Sequence, residues 1–408
     1  MNNLAEPGHQ ELDDFRRDIR GWLAESFPAD LAYNGQRALM EADPALAKDL
    51  EAWRSALAAR GYGAPTWPRQ YGGAGLSGAQ AAALAEELAA VGAFNPIPTM
   101  AGMGVTMVGP TVLEYGTDDQ KARHLRGMAS GEVRWCLGLS EPNAGSDLAS
   151  LATKAVRNNR GYVINGQKIW TSGADVSQWC GAVVRTDPDA RKRDGISFVM
   201  LPMDQPGVRT RPIKLISGAS PFCETYFEDA FADQADLLGE ENDGWSVVKR
   251  LLQHERQSQT SAGRRAADRE VPLHELAKTY VGEDANGRVA DPDLRARLVT
   301  HLMDARAHAL TVERIRAEAR GDVKVSAAAS ILKNSATRVA QGKAELRLEI
   351  MGAHGIGWTG KPFTESELAG TREWLFGKAM SIYGGSYEIQ NNIISKNILG
   401  LPETTQKG

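Results

Sequence analysis

Glu255 stands where a carboxylate could act as a general base. It belongs to the run LLQHER at positions 251–256, which follows Val247 and Val248, and these apolar residues mark one face of a helix. Glu255 comes four residues after Leu251, so it projects on that same face. A buried carboxylate must find a partner or bind its proton more tightly than in water, and tighter binding suits a base near neutral pH. The alternative is a glutamate paired with a neighbouring cation at the helix surface.

A second segment, residues 139–147, combines the end of a strand with a turn rich in small residues. Its sequence, LSEPNAGSD, includes Ser140, Gly145 and Ser146. Such a turn exposes backbone N–H groups and short donors, which suit a phosphate or the polar edge of a flat ligand. An ordinary β-turn would explain the same residues equally well.

Two further segments could hold a planar ligand. In KIWTSG, at positions 168–173, Trp170 could cover a flat cofactor while Ser172 donates a hydrogen bond to it. A core tryptophan at the end of a strand is the alternative. Near the C-terminus, Gly384 and Gly385 in IYGGSYEIQ form a hinge that would let the backbone approach a ligand, although a plain turn between helices would also explain them.

Residues 355–360 match the spacing G-x-G-x-x-G of dinucleotide-binding loops. That interpretation requires a strand before the glycines and a helix after them. Here the helical run GKAELRLEIMGAHG precedes the motif, and Lys361-Pro362 follows it. The sequence therefore favours a glycine-rich turn that ends a helix.

The segments that position these residues fall into three regions. Residues 1–133 and 239–408 contain amphipathic helical patterns, whereas residues 134–238 contain short apolar runs between turn signals. The middle region predicts about seven strands, with Asn165-Gly166 as a hairpin signal. The predicted fold class is α+β multidomain, with an N-terminal α-helical domain, a middle antiparallel β-sandwich or barrel domain and a C-terminal α-helical bundle.

Composition argues against several classes of function. The 408-residue chain has a net charge of -4, which disfavours a broad nucleic-acid-binding surface. Cys136, Cys180 and Cys223 are spaced too widely for a zinc pattern, and their odd number fits poorly with a disulfide framework. We therefore expect a reducing, cytoplasmic location and no metal site. The acidic N-terminal segment predicts no signal peptide, and the lack of a run of about 18 apolar residues predicts no membrane span.

Taken in this order and over essentially the whole chain, these segments resemble the acyl-CoA dehydrogenase family. The resemblance rests on the helix–β–helix order, the turn at 140–147, KIWTSG and the terminal YGGSYEIQNNIISKNILGLP. It implies FAD bound at the middle domain and between the helical domains, usually across a dimer interface. It also implies an acyl-CoA substrate, electron-transferring flavoprotein as the electron acceptor, and a homo-oligomer or an α2β2 hetero-oligomer.

The resemblance assigns roles to residues by position. Ser140 would meet the pyrimidine edge of the flavin, Trp170 would cover the flavin, and Ser172 would donate near its N5 atom. Arg256 would lie next to the CoA moiety, and the turn that contains Ser146 would also line the acyl-CoA entrance. The remaining positions that match cofactor contacts are Leu137, Leu139, Gly145, Ser146, Glu349, Gly352, Ser386 and Glu388.

The resemblance also places the catalytic base. Many members of the family carry a glutamate directly after the tyrosine of the terminal motif, but here that position is Gly384. Other members carry it in a Glu-Arg pair on the helix that opens the C-terminal domain, which matches Glu255-Arg256. Glu255 would then remove the α-proton of the thioester while the β-hydride passes to the flavin, giving a trans-2-enoyl-CoA. The backbone N–H of Gly384 would help to hold the thioester carbonyl.

Three departures from the family pattern leave other functions open. Glu349 replaces a usual glutamine, Asn391 stands where relatives often have arginine, and an Arg-x-x-Phe-Gly motif that embraces FAD is absent, with Arg288 as a candidate replacement. Similar departures occur in subfamilies that act on bulky or dicarboxylic acyl-CoAs in fatty acid or steroid catabolism, some of them two-gene heterotetramers. The alternatives are a non-catalytic subunit that completes a neighbour's FAD site, and a flavin monooxygenase on the same fold, which needs no base such as Glu255.

Overall fold

The computed structural model describes residues 8–39, 42–266, 271–319 and 329–402. These residues divide into two compact units. The first unit comprises the residues up to Ile213 together with Pro221–Glu255, and the second comprises Lys214–Ser220 together with the residues from Arg256 onwards. The predicted domain boundaries at 133/134 and 238/239 stay a prediction.

The N-terminal part of the first unit is helical, as the sequence predicts. Ile19, Trp22 and Leu23 are buried along one face of the first helix. Capping boxes at Ser77 and Thr117 satisfy free backbone N–H groups where two of the later helices begin. The helices are α1 (His9–Ser26), α2 (Gly35–Leu39), α3 (Ala47–Ala59), α4 (Gly78–Ala90), α5 (Ile97–Met100), α6 (Gly109–Tyr115) and α7 (Asp118–Ser130).

An eight-stranded sheet follows these helices. Its strands are β1 (Trp135–Gly138), β2 (Lys154–Arg157), β3 (Gly161–Ser172), β4 (Trp179–Arg185), β5 (Ile196–Pro202), β6 (Val208–Ile213), β7 (Phe222–Asp233) and β8 (Leu237–Leu238). The strand order is β6-β7-β3-β2-β4-β5-β8, with β1 beside β4. Most neighbours are antiparallel, but β1 and β2 both pair with β4 in parallel, and the sequence did not predict these two pairings.

The Asn165-Gly166 pair does not form a hairpin turn, so that prediction was wrong. β3 continues through both residues, and its register with β7 shifts between Ile164 and Gly166, as at a β-bulge. The side chain of Asn165 bonds both the carboxylate and the backbone N–H of Asp229 at 2.9 Å. A methyl group on Gly166 would lie 2.6 Å from Thr153 Oγ1, so this glycine permits a close approach of the neighbouring chain rather than a turn.

The long helix after the sheet, α8 (Gly244–Ala266), contributes its first half to the core of the first unit. Val247, Val248 and Leu251 are at most 1% exposed. They belong to the same hydrophobic cluster as Leu137 at the end of β1. The apolar face that the sequence predicts for this helix is therefore the buried one.

The second unit is helical. Leu298, Leu346 and Ile350 belong to its hydrophobic core. The glycine motif at 355–360 begins within the 3-10 turn Gly352–Ile356, directly after a helix that ends at Met351, as the sequence favours. Besides the end of α8, the helices are α9 (Leu273–Val281), α10 (Pro292–Ala319), α11 (Ala329–Met351), α12 (Glu365–Gly377) and α13 (Tyr387–Asn397). Within the described ranges, no helix is long and apolar enough to cross a membrane.

Candidate active site

The turn after β1 is tight at its start and open at its end. Glu141 and Ala144 exchange two backbone hydrogen bonds of 3.0 and 3.1 Å around residues 142–143. Gly145 and Ser146 are exposed, and a methyl group on Gly145 would meet no atom within 4 Å. The predicted ligand-binding residues of this turn thus lie at an accessible surface.

Trp170 has an unusual backbone conformation near the end of β3. Its φ is 61°, in the left-handed region that bulky residues rarely adopt. The register of β3 with β7 shifts between Lys168 and Thr171, so Trp170 stands in a β-bulge. Its side chain is 52% exposed and meets Phe222 edge to face, with ring centroids 6.2 Å apart. A strained aromatic residue with an exposed ring is typical of a ligand site, and the core interpretation of Trp170 was wrong.

One hydrogen bond joins the turn to the bulge. The backbone N–H of Ile169 donates to the carbonyl oxygen of Ser140 at 2.9 Å. Ser140 and Ser172 are both half-buried, and Ser172 pairs with Phe222 on β7. The first unit therefore brings together three residues that were predicted to contact the flavin ring: Ser140, Trp170 and Ser172.

A buried ion pair supports the same junction. Lys168 is fully buried, and its ammonium donates to Glu141 Oε1 at 2.8 Å and to the carbonyl oxygen of Leu139 at 3.1 Å. The carboxylate of Glu141 also accepts the backbone N–H groups of Ala152 at 2.6 Å and Thr153 at 2.9 Å. These contacts connect the end of β1, the start of β2 and the middle of β3.

The two charges of this pair stabilise each other. Burial lowers the pKa of Lys168, and the Glu141 carboxylate opposes this effect. Burial alone would raise the pKa of Glu141, but the charge of Lys168 and the hydrogen bonds at Thr153 and Ala152 hold it below its usual value. Removing one partner of such a buried pair costs about 3–5 kcal/mol, because the other charge is left uncompensated.

Glu255 is half-buried on α8, one turn beyond the fully buried part of the helix. Arg250 anchors this helix to α6 through two hydrogen bonds of 2.5 and 2.7 Å to Glu114, and they hold the pKa of Glu114 below its usual value. His254 Nε2 lies 3.5 Å from the same carboxylate. The side chain of Arg256, which was predicted to contact CoA, lies outside the described part of the chain.

In the second unit, Gly384 and Gly385 form the predicted hinge before α13. Both adopt left-handed conformations, with φ of 63° and 87°. Ser386 caps α13, because its hydroxyl accepts the backbone N–H of Ile389 at 3.3 Å. The buried side chain of Gln390 donates to the carbonyl oxygen of Gly384 at 2.9 Å. The hinge is therefore held by its own helix.

The carboxylate of Glu349, which departs from the family pattern, is paired with an arginine. Arg297 on α10 donates from Nη1 to Glu349 Oε2 at 2.6 Å and also from Nη2 to Oε1. These hydrogen bonds lower the pKa of Glu349 and raise that of Arg297. Gly352 follows with φ of 54° and open space where a methyl group would stand, and Glu388 is exposed at the start of α13.

Arg288, the candidate replacement for the missing arginine motif, is held within its own loop. Its side chain and its backbone N–H both donate to Asp284, at 2.9 and 3.0 Å. The backbone N–H of Arg288 is the main cause that lowers the pKa of Asp284 to about 2. Its predicted contact with FAD stays a prediction.

The sequence interpretation assigned no role to three of the contacts above. They involve the Glu141–Lys168 pair, the Arg297–Glu349 pair and the side chain of Gln390. Nothing in the local sequence marks these residues as buried, because Lys168 follows Asn165, Gly166 and Gln167, and Gln390 precedes Asn391 and Asn392. Their partners become visible only in the structure, where a buried polar group needs one.

The cysteines of this chain lie on strands of the sheet. The three cysteines are free and buried, and Cys136 and Cys180 are register partners on β1 and β4. A hydrogen bond to Cys180, together with burial, raises the pKa of Cys136 well above its usual value, which disfavours the reactive thiolate. Among the described residues, no group of His, Cys, Asp and Glu is arranged to hold a metal ion.

Family comparisons agree with this architecture. Models of the N-terminal, middle and C-terminal domains of acyl-CoA dehydrogenases match residues 9–132, 136–230 and 242–399. Fold and matches together define an oxidoreductase of the FAD-dependent class. The chain belongs to the acyl-CoA dehydrogenase family, as its sequence motifs imply.

Individual relatives extend the match over the whole chain. The chain is 37% identical over 398 residues to acyl-CoA dehydrogenase IpdE1 of Mycobacterium tuberculosis, covering 96% of this chain and 98% of that protein. Among solved structures, the Tcur3481-Tcur3483 steroid ACAD matches with a TM-score of 0.76 at 28% identity, over 98% of this chain and 100% of that chain. The ChsE4-ChsE5 complex from Mycobacterium tuberculosis matches with a TM-score of 0.72 at 28% identity, over the same shares of the two chains.

The residues of the first unit fit a flat, hydrogen-bonding cofactor such as FAD. The strained bulge presents the exposed ring of Trp170. Ser172 follows it by two residues on β3, and the carbonyl of Ser140 is bound by the preceding residue, Ile169. In the second unit, the hinge at Gly384 and the capping hydroxyl of Ser386 are the corresponding candidates.

Proposed function

We propose that this protein removes the α-proton and the β-hydride of an acyl-CoA thioester and so forms a trans-2-enoyl-CoA. The observation that carries this proposal is the strained, exposed Trp170 joined to the Ser140 turn, in a family member that carries a half-buried carboxylate at Glu255. When bound, FAD supplies the acceptor for the hydride.

The chain itself supplies proton transfer and electrostatic stabilisation. The α-proton of a thioester is too weakly acidic to be lost in water at a useful rate. Glu255 takes this proton, and the backbone N–H of Gly384 is the proposed donor to the thioester carbonyl, where negative charge develops. Ser146 and Arg256 are the proposed contacts of the acyl-CoA at its entrance.

We further propose that the acyl group is bulky and of steroid origin. One solved relative at 28% identity is named a steroid ACAD. The departures at Glu349 and Asn391 support the same subfamily. The proposed electron acceptor is electron-transferring flavoprotein, and three free cysteines support a reducing, cytoplasmic location.

One contact favours a second candidate function, a non-catalytic subunit that completes the FAD site of a different chain. Arg297 is bound to Glu349 at the position where the family pattern has a neutral amide. An ion pair thus replaces the amide that the family pattern offers to the cofactor. A chain with such an incomplete set of FAD contacts suits a subunit that shares the cofactor site of a different chain. The catalytic interpretation is preferred because Glu255 is present at an accepted position of the base.

Released cofactor tests the proposed function directly. The protein, purified alone or with a co-expressed neighbouring subunit, is expected to be yellow and to release FAD, not FMN, when denatured. Chromatography of the supernatant identifies the flavin, and added acyl-CoA should bleach it in the holoenzyme. A colourless preparation that stays inactive with added FAD and with every co-expressed neighbour would contradict the proposal.

We expect FAD to be bound by an assembly of at least two chains. Both of these solved relatives are two-component complexes, and we propose a dimer or a dimer of dimers, with an α2β2 form as the hetero-oligomeric alternative. Sedimentation with detection at the flavin absorbance should place the bound FAD in a species of at least two chains. A flavin-loaded monomer would contradict this assembly.

A further inference from the structure

The buried Glu141–Lys168 ion pair lies between the two segments that the proposed flavin site needs. Lys168 bonds Leu139 and Glu141, which are the two residues that flank Ser140. Ser140 is bound on its own carbonyl by Ile169, the residue between Lys168 and Trp170. Ser140 is therefore held from both sides by consecutive residues of β3.

Local packing is adapted to this pair. The aliphatic stem of Lys168 passes over β1 at Gly138, where a methyl group would lie 3.2 Å from Lys168 Cγ and 3.4 Å from the sulfur of Cys180. A side chain on Gly138 would thus crowd the lysine. The glycine keeps open the space through which the ammonium reaches the end of β1.

The strained conformation of Trp170 gives the pair a consequence beyond stability. A bulky residue persists in the left-handed region only where its surroundings fix it there. Trp170 is two residues from Lys168, and its exposed ring adds little burial that could hold it in place. On its C-terminal side, Trp170 is followed by Thr171, which pairs with Cys223 on β7. On its N-terminal side, the nearest fixed points are the contacts of Lys168 and the hydrogen bond of Ile169.

We propose that the Glu141–Lys168 pair is a positioning element of the flavin site, which fixes the Ser140 turn against the Trp170 bulge. This inference rests on the proposed function, because it concerns the residues proposed to hold FAD. A positioning role differs from a purely structural role in one respect. Apolar residues can replace a buried ion pair without loss of stability. They cannot, however, form hydrogen bonds to the carbonyl of Leu139 or to the N–H groups of Ala152 and Thr153.

Three variants of the holoenzyme separate positioning from stability. Lys168→Met breaks the pair, Glu141→Leu/Lys168→Met replaces both charges, and Leu57→Ala is the control, since Leu57 is fully buried in the cluster of the N-terminal helices. Melting temperature, FAD affinity by titration and the visible circular dichroism of the bound flavin are measured for each. We expect both Lys168 variants to bind FAD about 10-fold more weakly with an altered flavin spectrum, since misplacing site groups costs this much or more.

The double variant should regain melting temperature relative to Lys168→Met without regaining FAD affinity. Leu57→Ala should lower the melting temperature while its FAD affinity stays within about 2-fold of the wild type, because its cavity lies among other helices. If FAD affinity instead follows melting temperature through all three variants, the pair is only structural and the inference is overturned.

Hydrogen exchange of the chain without FAD gives a readout that needs no cofactor. In Lys168→Met, the amides of Ile169, Ala152 and Thr153 should exchange faster than in the wild type, while amides of α3 exchange as before. Unchanged exchange at Ile169 would overturn the inference. A wild type that binds no FAD would contradict the proposed function, whereas the exchange result would still decide the positioning role.

Discussion

Glu255→Gln is expected to keep FAD and acyl-CoA binding while slowing flavin reduction by about 10²-fold or more. Glutamine preserves the shape of the side chain and its ability to accept a hydrogen bond, but it cannot take the α-proton. Gly384 occupies the position of the base in other members of the family and has no side chain to replace it. The loss should therefore appear in the reduction step and not in substrate affinity.

Anaerobic stopped-flow measurement of flavin bleaching checks this prediction. Glu86→Gln is the matched control, because Glu86 is an exposed glutamate on α4 that pairs with Arg16 and has no proposed role in the site. It should reduce at the wild-type rate. If Glu255→Gln also reduces at that rate, the base lies elsewhere. If none of the acyl-CoAs tested bleaches the flavin of the wild type, the non-catalytic interpretation gains support.

Gly384→Glu in the Glu255→Gln background tests whether both positions serve the same α-carbon. Some activity should return, but less than that of the wild type. The φ of Gly384 is 63°, and a residue with a side chain pays roughly 1–2 kcal/mol in this left-handed region. A correctly folded double variant that binds FAD and substrate yet gains no activity would argue that the two positions face different atoms.

Trp170→Gly is expected to weaken FAD binding by about 10- to 100-fold while leaving the protein without FAD as stable as the wild type or more stable. Loss of one stacked aromatic ring costs about 1–3 kcal/mol of binding. Relief of a left-handed conformation returns about 1–3 kcal/mol of folding free energy, against about 0.5–1 kcal/mol lost to the flexibility of glycine. FAD titration and thermal unfolding in the absence of FAD measure the two effects.

Tyr33 provides a matched control for this substitution. It is an exposed aromatic residue with φ of 62°, and it lies among the N-terminal helices. Tyr33→Gly should change stability in the same direction as Trp170→Gly and leave FAD affinity unchanged. Trp170→Phe should keep most of the affinity, because the ring is retained. If Trp170→Gly binds FAD as tightly as the wild type, Trp170 does not cover the flavin.

Most of the fold could be predicted from the sequence because its signals are local. The stripe at Ile19 and Trp22, the capping box at Ser77 and the apolar face of α8 each depend on residues within a few turns of one another. The change from helical patterns to short apolar runs and back again predicted the order of the three regions. The structure retains these local patterns because folding buries the apolar faces that they predict.

Features that depend on distant partners could not be predicted in this way. Asn165-Gly166 has the composition of a hairpin turn, but its pairing with Asp229 and the approach of Thr153 make it a bulge within one long strand. The left-handed conformation of Trp170 likewise depends on the register with β7. Contacts of this kind join segments far apart in the chain, so a single sequence contains no periodic pattern that reveals them.

The hinge before α13 brings a glycine, Gly385, into close contact with the side chain of Gln390. A methyl group on Gly385 would lie 2.7 Å from the amide nitrogen of Gln390, and the same amide nitrogen bonds the carbonyl of Gly384. A side chain at position 385 would therefore displace the amide that holds the Gly384 carbonyl. A combinatorial library that varies this loop should therefore vary Gly385 and Gln390 together, because a side chain at the first crowds the amide and loss of the second removes its hydrogen bond.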